Sequence, residues 1–210
     1  VGVPPGMGGA LEAMRGRFPS RAEEELRRFL QARNWSVDKA AAMLQEHIEW
    51  RARTLPLPPE TCMNELRKRK VYMYGKDRDG RPVMYYHTRK QDPQERDIDE
   101  TVLSCVYRME QVLATMPARE GKVVMIFDRQ AATDANTDFS IAKPVASVFQ
   151  ANYPERLSKV LVYPSGRVFR TLWSIVRIFL DPVTREKVVP VAKREDILKY
   201  IDADQLLECM

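Results

Sequence analysis

The sequence predicts an α/β fold preceded by a small all-helical unit. Helical periodicity dominates the N-terminal quarter, and the stretch "LPLPPE" at Leu55–Glu60 breaks it. Beyond the break, the apolar runs Lys122–Asp128, Lys159–Tyr163 and Val188–Ala192 alternate with helical patterns. Near-continuous apolar runs of that length read as strands covered on both faces. Strand–helix–strand repetition implies a mixed or mostly parallel sheet with right-handed crossovers.

The elements follow in order. Ser20 and Glu23 form a capping-box pattern that opens a first helix, with Leu26, Phe29, Leu30 and Arg33 along one side. A second helix starts at Ser36, with Asp38 near its positive end and Val37, Ala41, Leu44 and Ile48 as its apolar stripe. Glu60–Arg67 suits a short third helix. In "VYMYGKDRDGRPVMYYH", two β-rich runs flank Asp79-Gly80, a hairpin signal. A long helix is predicted from Ile98 to Met116, with Ile98, Val102, Val106, Met109, Leu113 and Met116 inward. Further helices are predicted over Phe139–Ala151, Val168–Leu180 and "REDILKYI". Residues 1–19 are expected to be disordered, 20–59 to form the helical lobe and 60–210 the α/β lobe.

The chain has 210 residues, 44% of them apolar, which suits one compact domain or a domain plus a small appendage. It contains no apolar run of about 18 residues, so no spanning segment is expected. The Gly/Pro-rich start lacks the layout of a signal peptide. Cys62, Cys105 and Cys209 lie far apart, without metal spacing, and read as free thiols of a reducing cytosol. A net charge of +5 favours anionic partners without choosing among nucleic acid, anionic lipid and acidic protein. The run Arg67, Lys68, Arg69, Lys70 reads as a membrane-surface or phosphate patch or as a solvated helix end, and no RNA-binding or helix-turn-helix pattern accompanies it.

Catalysis finds little footing. Phosphate-binding glycine loops and a nucleophile elbow are missing from the sequence. The histidines, His47 and His87, and Asp128 at a strand end read as structural groups. No enzyme, metal or cofactor is expected.

The segment 168–180 carries more apolar surface than a single core contact needs. Val168, Phe169, Leu172, Trp173, Ile175, Val176, Phe179 and Leu180 cover a wide arc. Arg167, Arg170, Ser174 and Arg177 share a narrow polar stripe. Two readings stand open. The helix either caps an apolar pocket and meets a membrane, its arginines near anionic headgroups, or it is a buried core helix whose arginines snorkel out.

Four segments, in order, resemble the CRAL-TRIO family, phosphatidylinositol-transfer-protein-like lipid-binding domains. They are Leu26–Arg51, "DRDGRPVMYY" at Asp77–Tyr86, "NYPERLSKVLV" at Asn152–Val162 and "FLDPVTREKV" at Phe179–Val188. The resemblance covers about Glu24 to Leu207. It implies a helical lobe packed on a sheet of about five strands, and an apolar lipid pocket gated by one helix, which by position is 168–180.

The resemblance also assigns a headgroup site. Inositol-lipid-binding members use an Arg-Lys pair in the helical lobe, the Glu of "YPER", and the Thr and Lys of "DPVTxxK". Here those positions hold Arg33, Asn34, Glu155, Thr184 and Lys187, with Asn34 replacing the lysine. Arg33 and Lys187 are then expected to neutralise a phosphate, Thr184 to donate to it and Glu155 to accept from inositol hydroxyls. Phosphatidylcholine-binding members carry hydroxyl residues where Val123 and Met125 stand here, which argues against a choline lipid. The resulting expectation is a cytoplasmic, peripherally membrane-associated monomer that sequesters one phospholipid, phosphatidylinositol, and exchanges it at membranes or presents it to a lipid kinase. The alternatives are a non-transferring regulatory module that tethers a larger protein or binds a small GTPase, and a carrier of a tocopherol or retinoid. No nucleic-acid partner is expected.

Overall fold

A computed structural model describes residues 7–116, 121–138, 140–208 and 210, with the side chains of Arg167, Val168 and Leu172 also outside the description. The chain forms two units, residues 1–56 with 149–155, and residues 57–148 with 156–210.

The first unit is built on α1 (Met7–Arg17), α2 (Glu23–Ala32) and α3 (Val37–Thr54). Leu11, Met14, Leu26, Phe29, Leu30 and Leu44 form its core. Residues 7–17 therefore depart from the disorder expected of 1–19. Leu11 and Met14 share a helix face and bury against α2 and α3. Gly8, Gly9 and Gly16 lower the local helix propensity and hide this helix from a pattern reading.

The Ser20–Glu23 capping box does not form. Helix α2 starts at Glu23 behind Ala22, without a side-chain cap. The Glu23 carboxylate instead accepts from Arg27 Nε at 2.8 Å and from Arg15. Glu23, Glu24 and Glu25 in the first turn supply the negative charge that a helix start favours. At the other end, Asn34 and Trp35 take left-handed conformations, φ 50° and 61°, and Trp35 N donates to Leu30 O at 2.7 Å. Asparagine tolerates this region better than lysine does, so Asn34 has a local role as a helix terminator. Helix α3 then starts behind Ser36, as predicted.

Residues 149–155 join this unit through α3. His47 Nδ1 lies 3.1 Å from Asn152 Oδ1, with both residues buried, and Trp50 meets Tyr153 edge-on with centroids 5.9 Å apart. Burial, aided by the Arg51 charge and only partly opposed by the Asn152 bond, lowers the His47 pKa below its ordinary 6.5. Folding thus favours neutral imidazole. Stability from this group is complete above pH ~7 and falls as acidification through pH ~6.5 protonates the unfolded chain first. The melting temperature should drop between pH 7 and 5, and drop less in His47→Gln. Identical pH profiles in the two proteins would refute this.

The second unit begins with a 3-10 turn, Pro59–Cys62, and runs through α4 (Met63–Arg67), β1 (Val71–Lys76), β2 (Pro82–His87), α5 (Ile98–Ala114), β3 (Val123–Asp128) and α6 (Ala142–Asn152). It continues with β4 (Leu157–Tyr163), α7 (Arg167–Val176), α8 (Pro182–Glu186), β5 (Val188–Pro190) and α9 (Arg194–Ile197). The last turn of α6 belongs to the first unit. Five strands form one sheet in the order β1-β2-β3-β4-β5, with β1 antiparallel to β2 and all other pairs parallel. The hairpin at Asp79-Gly80 forms as predicted. Asp77 Oδ1 accepts from the amides of Asp79 and Arg81, and Gly80 takes φ 81°. Gly75 is obligatory for a different reason: at φ 67°, a Cβ there would lie 2.0 Å from Gln205 O.

Strand alternation gives the sheet two faces. One carries the row Tyr72, Tyr85, Ile126, Leu161, Val189 and is closed by the C-terminal residues Ile197, Ile201, Leu206 and Met210. His87 and Asp128 sit at its end, where His87 Nδ1 and Arg89 Nη1 each lie 2.7 Å from Asp128 Oδ2. The buried Asp128 carboxylate thus holds both side chains at one oxygen.

Helix α5 is rotated from its predicted setting. Val106 and Met109 are buried as expected, whereas Thr101, Ser104 and Val112 take the remaining inward positions. The hydroxyls of Thr101 and Ser104 bond back to Asp97 O and Thr101 O, which lets them bury on a helix. Phe139, the predicted start of the next helix, lies outside the described residues.

Candidate functional site

The second face of the sheet is the candidate site. Pairing places Met73, Met84, Met125, Val160 and Val188 in one row, and Val71, Tyr86, Phe127, Val162 and Pro190 in the next. Each row crosses five strands, about 19 Å at ordinary strand spacing. The only polar side-chain atom in either row is the Tyr86 hydroxyl, which donates to Gln91 Oε1 at 3.0 Å.

Protein covers this face incompletely. Met84, Val160 and Val162 are buried, but Met125, Phe127 and Val188 are half-buried, and Met73 is 42% exposed. Phe169 and Trp173 of α7 pack over Val160 and Val162. At the β1–β2 side, Tyr86 and Val71 share a cavity of about 10 Å³ with Thr101, Ser104 and Cys105, room for about one water molecule. Beneath α7 the described residues therefore present a partly covered apolar floor, whereas at the centre of the opposite face Tyr85, Ile126 and Leu161 are fully buried.

A buried polar network borders this floor. Lys70 Nζ donates to Glu65 Oε2 and Gln91 Oε1, both at 2.6 Å. Gln91 Nε2 donates to Asp138 Oδ2 at 2.8 Å, and Arg96 reaches the same carboxylate at 2.6 and 3.0 Å. Burial alone would raise the Glu65 carboxyl, but hydrogen bonds from Lys68 and Lys70 more than reverse this. Asp138 is likewise held well below the usual carboxylate range, the bonds from Arg96, Ser140 and Gln91 overcoming desolvation. Neither reading of the basic run anticipated this: Lys70 is buried and paired.

The predicted gate residues separate. Phe169 is 6% exposed and faces the floor; Trp173, Val176, Phe179 and Leu180 are half-buried; Ile175 is exposed. The side chains of Val168 and Leu172 lie outside the described residues. The α-helix ends at Val176 and passes through a 3-10 turn, Arg177–Phe179. Two apolar residues outside the predicted set are the most exposed here, Ile178 at 68% and Val183 at 53%.

The predicted headgroup residues fall in both units. Arg33, Asn34 and Glu155 lie in the first, Thr184 and Lys187 in the second. Arg33 follows α2 and its Nη1 donates to Ala32 O at 3.0 Å. Glu155 takes φ 57° within the "YPER" bend. Thr184 and Lys187 are brought together, Lys187 N donating to Thr184 O at 3.2 Å. The Thr184 hydroxyl proton is engaged: Oγ1 donates to Asp181 Oδ2 at 2.6 Å, and Thr184 N donates to Oδ1 at 2.9 Å. Burial raises and these bonds lower the Asp181 carboxyl, with a net fall. Asp181 is thus a helix cap that sequence reading passed over, although Asp before Pro182 is a regular N-cap signal. Cys62 and Cys105 are free thiols, and burial pushes Cys105 up to about 11. Cys209 lies outside the described residues. No described helix is long and apolar enough to cross a membrane.

Comparison with known proteins agrees with this architecture. The CRAL/TRIO domain model matches residues 66–210. CRAL-TRIO domain-containing protein C3H8.02 of Schizosaccharomyces pombe is 28% identical over 194 residues, covering 87% of this chain and 44% of that protein. Phosphatidylinositol transfer protein CSR1 of Eremothecium gossypii is 25% identical over 195 residues, covering 86% and 45%. This chain thus spans about half the length of these curated relatives. The crystal structure of Sfh5 superimposes with a TM-score of 0.72 at 18% identity, over 86% of this chain and 67% of that one. The family match, the five-stranded mixed sheet and the partly covered apolar floor together establish that this chain belongs to the CRAL/TRIO domain family and has its lipid-binding fold.

Proposed function

We propose that the chain binds one phosphatidylinositol molecule on the apolar floor and exchanges it at membranes or presents it to a lipid-modifying enzyme, without covalent chemistry of its own. The observation that carries this reading is the contrast between the faces of one sheet. At the centre of the first, Tyr85, Ile126 and Leu161 are fully buried beneath the C-terminal residues, whereas the matching centre of the second keeps Met125 and Phe127 half-buried. Acyl chains laid there complete the burial, at roughly 0.8 kcal/mol per methylene.

Support for an inositol headgroup comes from three sides. In the sequence, Thr184 and Lys187 match the "DPVTxxK" pattern of inositol-lipid-binding members. Met125 puts a thioether on the floor where choline-lipid binders carry a hydroxyl. A relative of 25% identity is named a phosphatidylinositol transfer protein. With its proton given to Asp181, the Thr184 hydroxyl offers a lone pair to the ligand until it rotates, so Lys187 is assigned the larger share of the phosphate charge.

Vesicle transfer with labelled lipids tests this. The chain should move phosphatidylinositol faster than phosphatidylcholine. Lys187→Ala with Thr184→Ala should cut inositol-lipid transfer by about tenfold or more, with a melting temperature close to that of Thr184→Ala alone. Unaltered transfer in the double variant would put the headgroup elsewhere. No transfer by the parent chain would favour a non-transferring module, and a neutral terpenoid co-purifying in native mass spectrometry would reject the inositol lipid.

A further inference from the structure

Arg129, in the second unit, has side-chain donors that the reading above leaves unused. It follows β3 directly, and its Nε and Nη1 are buried without a hydrogen-bond acceptor among the described residues. Asp134 attracts it electrostatically but accepts no bond from those two nitrogens. Buried guanidinium donors left unmatched are costly, so an acceptor is ordinarily supplied to them, by a water, an ion or a bound ligand.

The surroundings specify what that acceptor is. Arg129 N donates to Tyr163 O at 2.6 Å, the bond that completes the Asp128–Tyr163 pairing at the end of β3, so the backbone is still held in the ladder at Arg129. Asp128 points to the sealed face, where it meets His87, and Gln130 also reaches that side, to Met210 Sδ at 3.4 Å. Alternation therefore sends Arg129 to the opposite face, the side of Met125 and Phe127. The position is the carboxyl edge of the four parallel strands β2–β5, where open α/β sheets take ligands. Lys187 marks the other edge, since its carbonyl accepts from Val160 N at the entry to β5.

We propose that Arg129 anchors an oxyanion, carboxylate or phosphate, carried by an amphiphile whose chain lies on the apolar floor. This rests on the lipid-binding reading above and adds a second polar subsite, at the carboxyl edge, to the one assigned to Thr184 and Lys187. A guanidinium there discriminates between an ionised amphiphile and its neutral ester, which fill the same apolar space.

The test uses cis-parinaric acid and its methyl ester as fluorescent probes on the full chain, at a pH where the acid is ionised. The parent should bind the acid roughly 10-fold more tightly than the ester. Arg129→Met should bring the two together, and Arg129→Lys should keep part of the preference. Without ligand, Arg129→Met should melt roughly 2–4 °C higher than the parent, because two buried donors without an acceptor among the described residues have been removed. Equal binding of acid and ester by the parent, or an unchanged preference in Arg129→Met, overturns the subsite while leaving lipid binding intact. A lower melting temperature for ligand-free Arg129→Met makes the arginine a structural group and likewise overturns it. Failure to bind either probe removes both readings. Inorganic phosphate that raises the melting temperature of the parent but not of Arg129→Met would assign the site to a free anion and overturn its place in amphiphile binding.

Discussion

An Ile178→Asp, Val183→Asp double variant is expected to exchange lipid between vesicles about 100-fold more slowly than the parent, with its melting temperature unchanged. The two side chains are the most exposed large apolar groups of the described residues, at 68% and 53%. Neither belongs to a core cluster, so replacing them removes little from folding. In a bilayer interface each side chain gains roughly 1.5–3 kcal/mol by leaving water, and aspartate forfeits that gain and adds repulsion from anionic headgroups. Arg170, Arg177 and Arg185 are exposed in the same segment and supply the complementary attraction. Single replacements should each give part of the loss. Phe169→Asp serves as a contrast: Phe169 is buried on Val160 and Val162, so that variant should unfold at lower temperature as well as lose exchange. Normal exchange by the double variant would mean that this surface does not meet the membrane.

The same segment shows how far sequence patterns reach. The three apolar runs became β3, β4 and β5, and the Asp79-Gly80 turn joined β1 to β2, because strand length, flanking turns and near-continuous apolarity are local properties. The gate helix was legible as an element but not in its orientation. A wheel drawn over 168–180 assumes one helix, whereas the α-helix stops at Val176 and a 3-10 turn re-aims Ile178 and Phe179. Helix α1 was missed because three glycines mask two buried residues whose importance is tertiary. The sealed and open faces of the sheet could not be told apart from sequence. Tyr85 and Tyr86 are adjacent and chemically alike, yet register sends one to the C-terminal core and the other to the apolar floor. The donors of Arg129, unmatched among the described residues, and the capping role of Asp181 likewise depend on the three-dimensional surroundings.

Long-range pairing also underlies the largest expected change in stability. Lys70→Ala should destabilise the chain by about 3–5 kcal/mol, since it leaves the Glu65 carboxylate buried with a single cation beside it. Both side chains are nearly inaccessible, at 4% and 2%, and Lys70 is the link between Glu65 after the 3-10 turn and Gln91 after β2. Its loss also strips a donor from Gln91 Oε1, leaving that oxygen with the Tyr86 hydroxyl alone. Lys68 keeps its 2.7 Å bond to Glu65 Oε1, but it is partly exposed and screened, so it offsets only a fraction of the loss. Burial pulls the Lys70 ammonium below its ordinary value, with the Glu65 bond opposing it, so the pair is held together by geometry rather than by cheap desolvation. A second variant separates charge from packing. Glu65→Leu combined with Lys70→Met replaces both ions by apolar groups of similar size and should recover most of the lost stability in denaturant unfolding. Because Tyr86 is a floor residue and its hydroxyl is held by Gln91, Lys70→Ala should also loosen lipid retention, and the paired replacement should restore folding more fully than retention. If Lys70→Ala unfolds at the parent's denaturant midpoint, the ion pair is not buried as described and its role in supporting the floor falls with it.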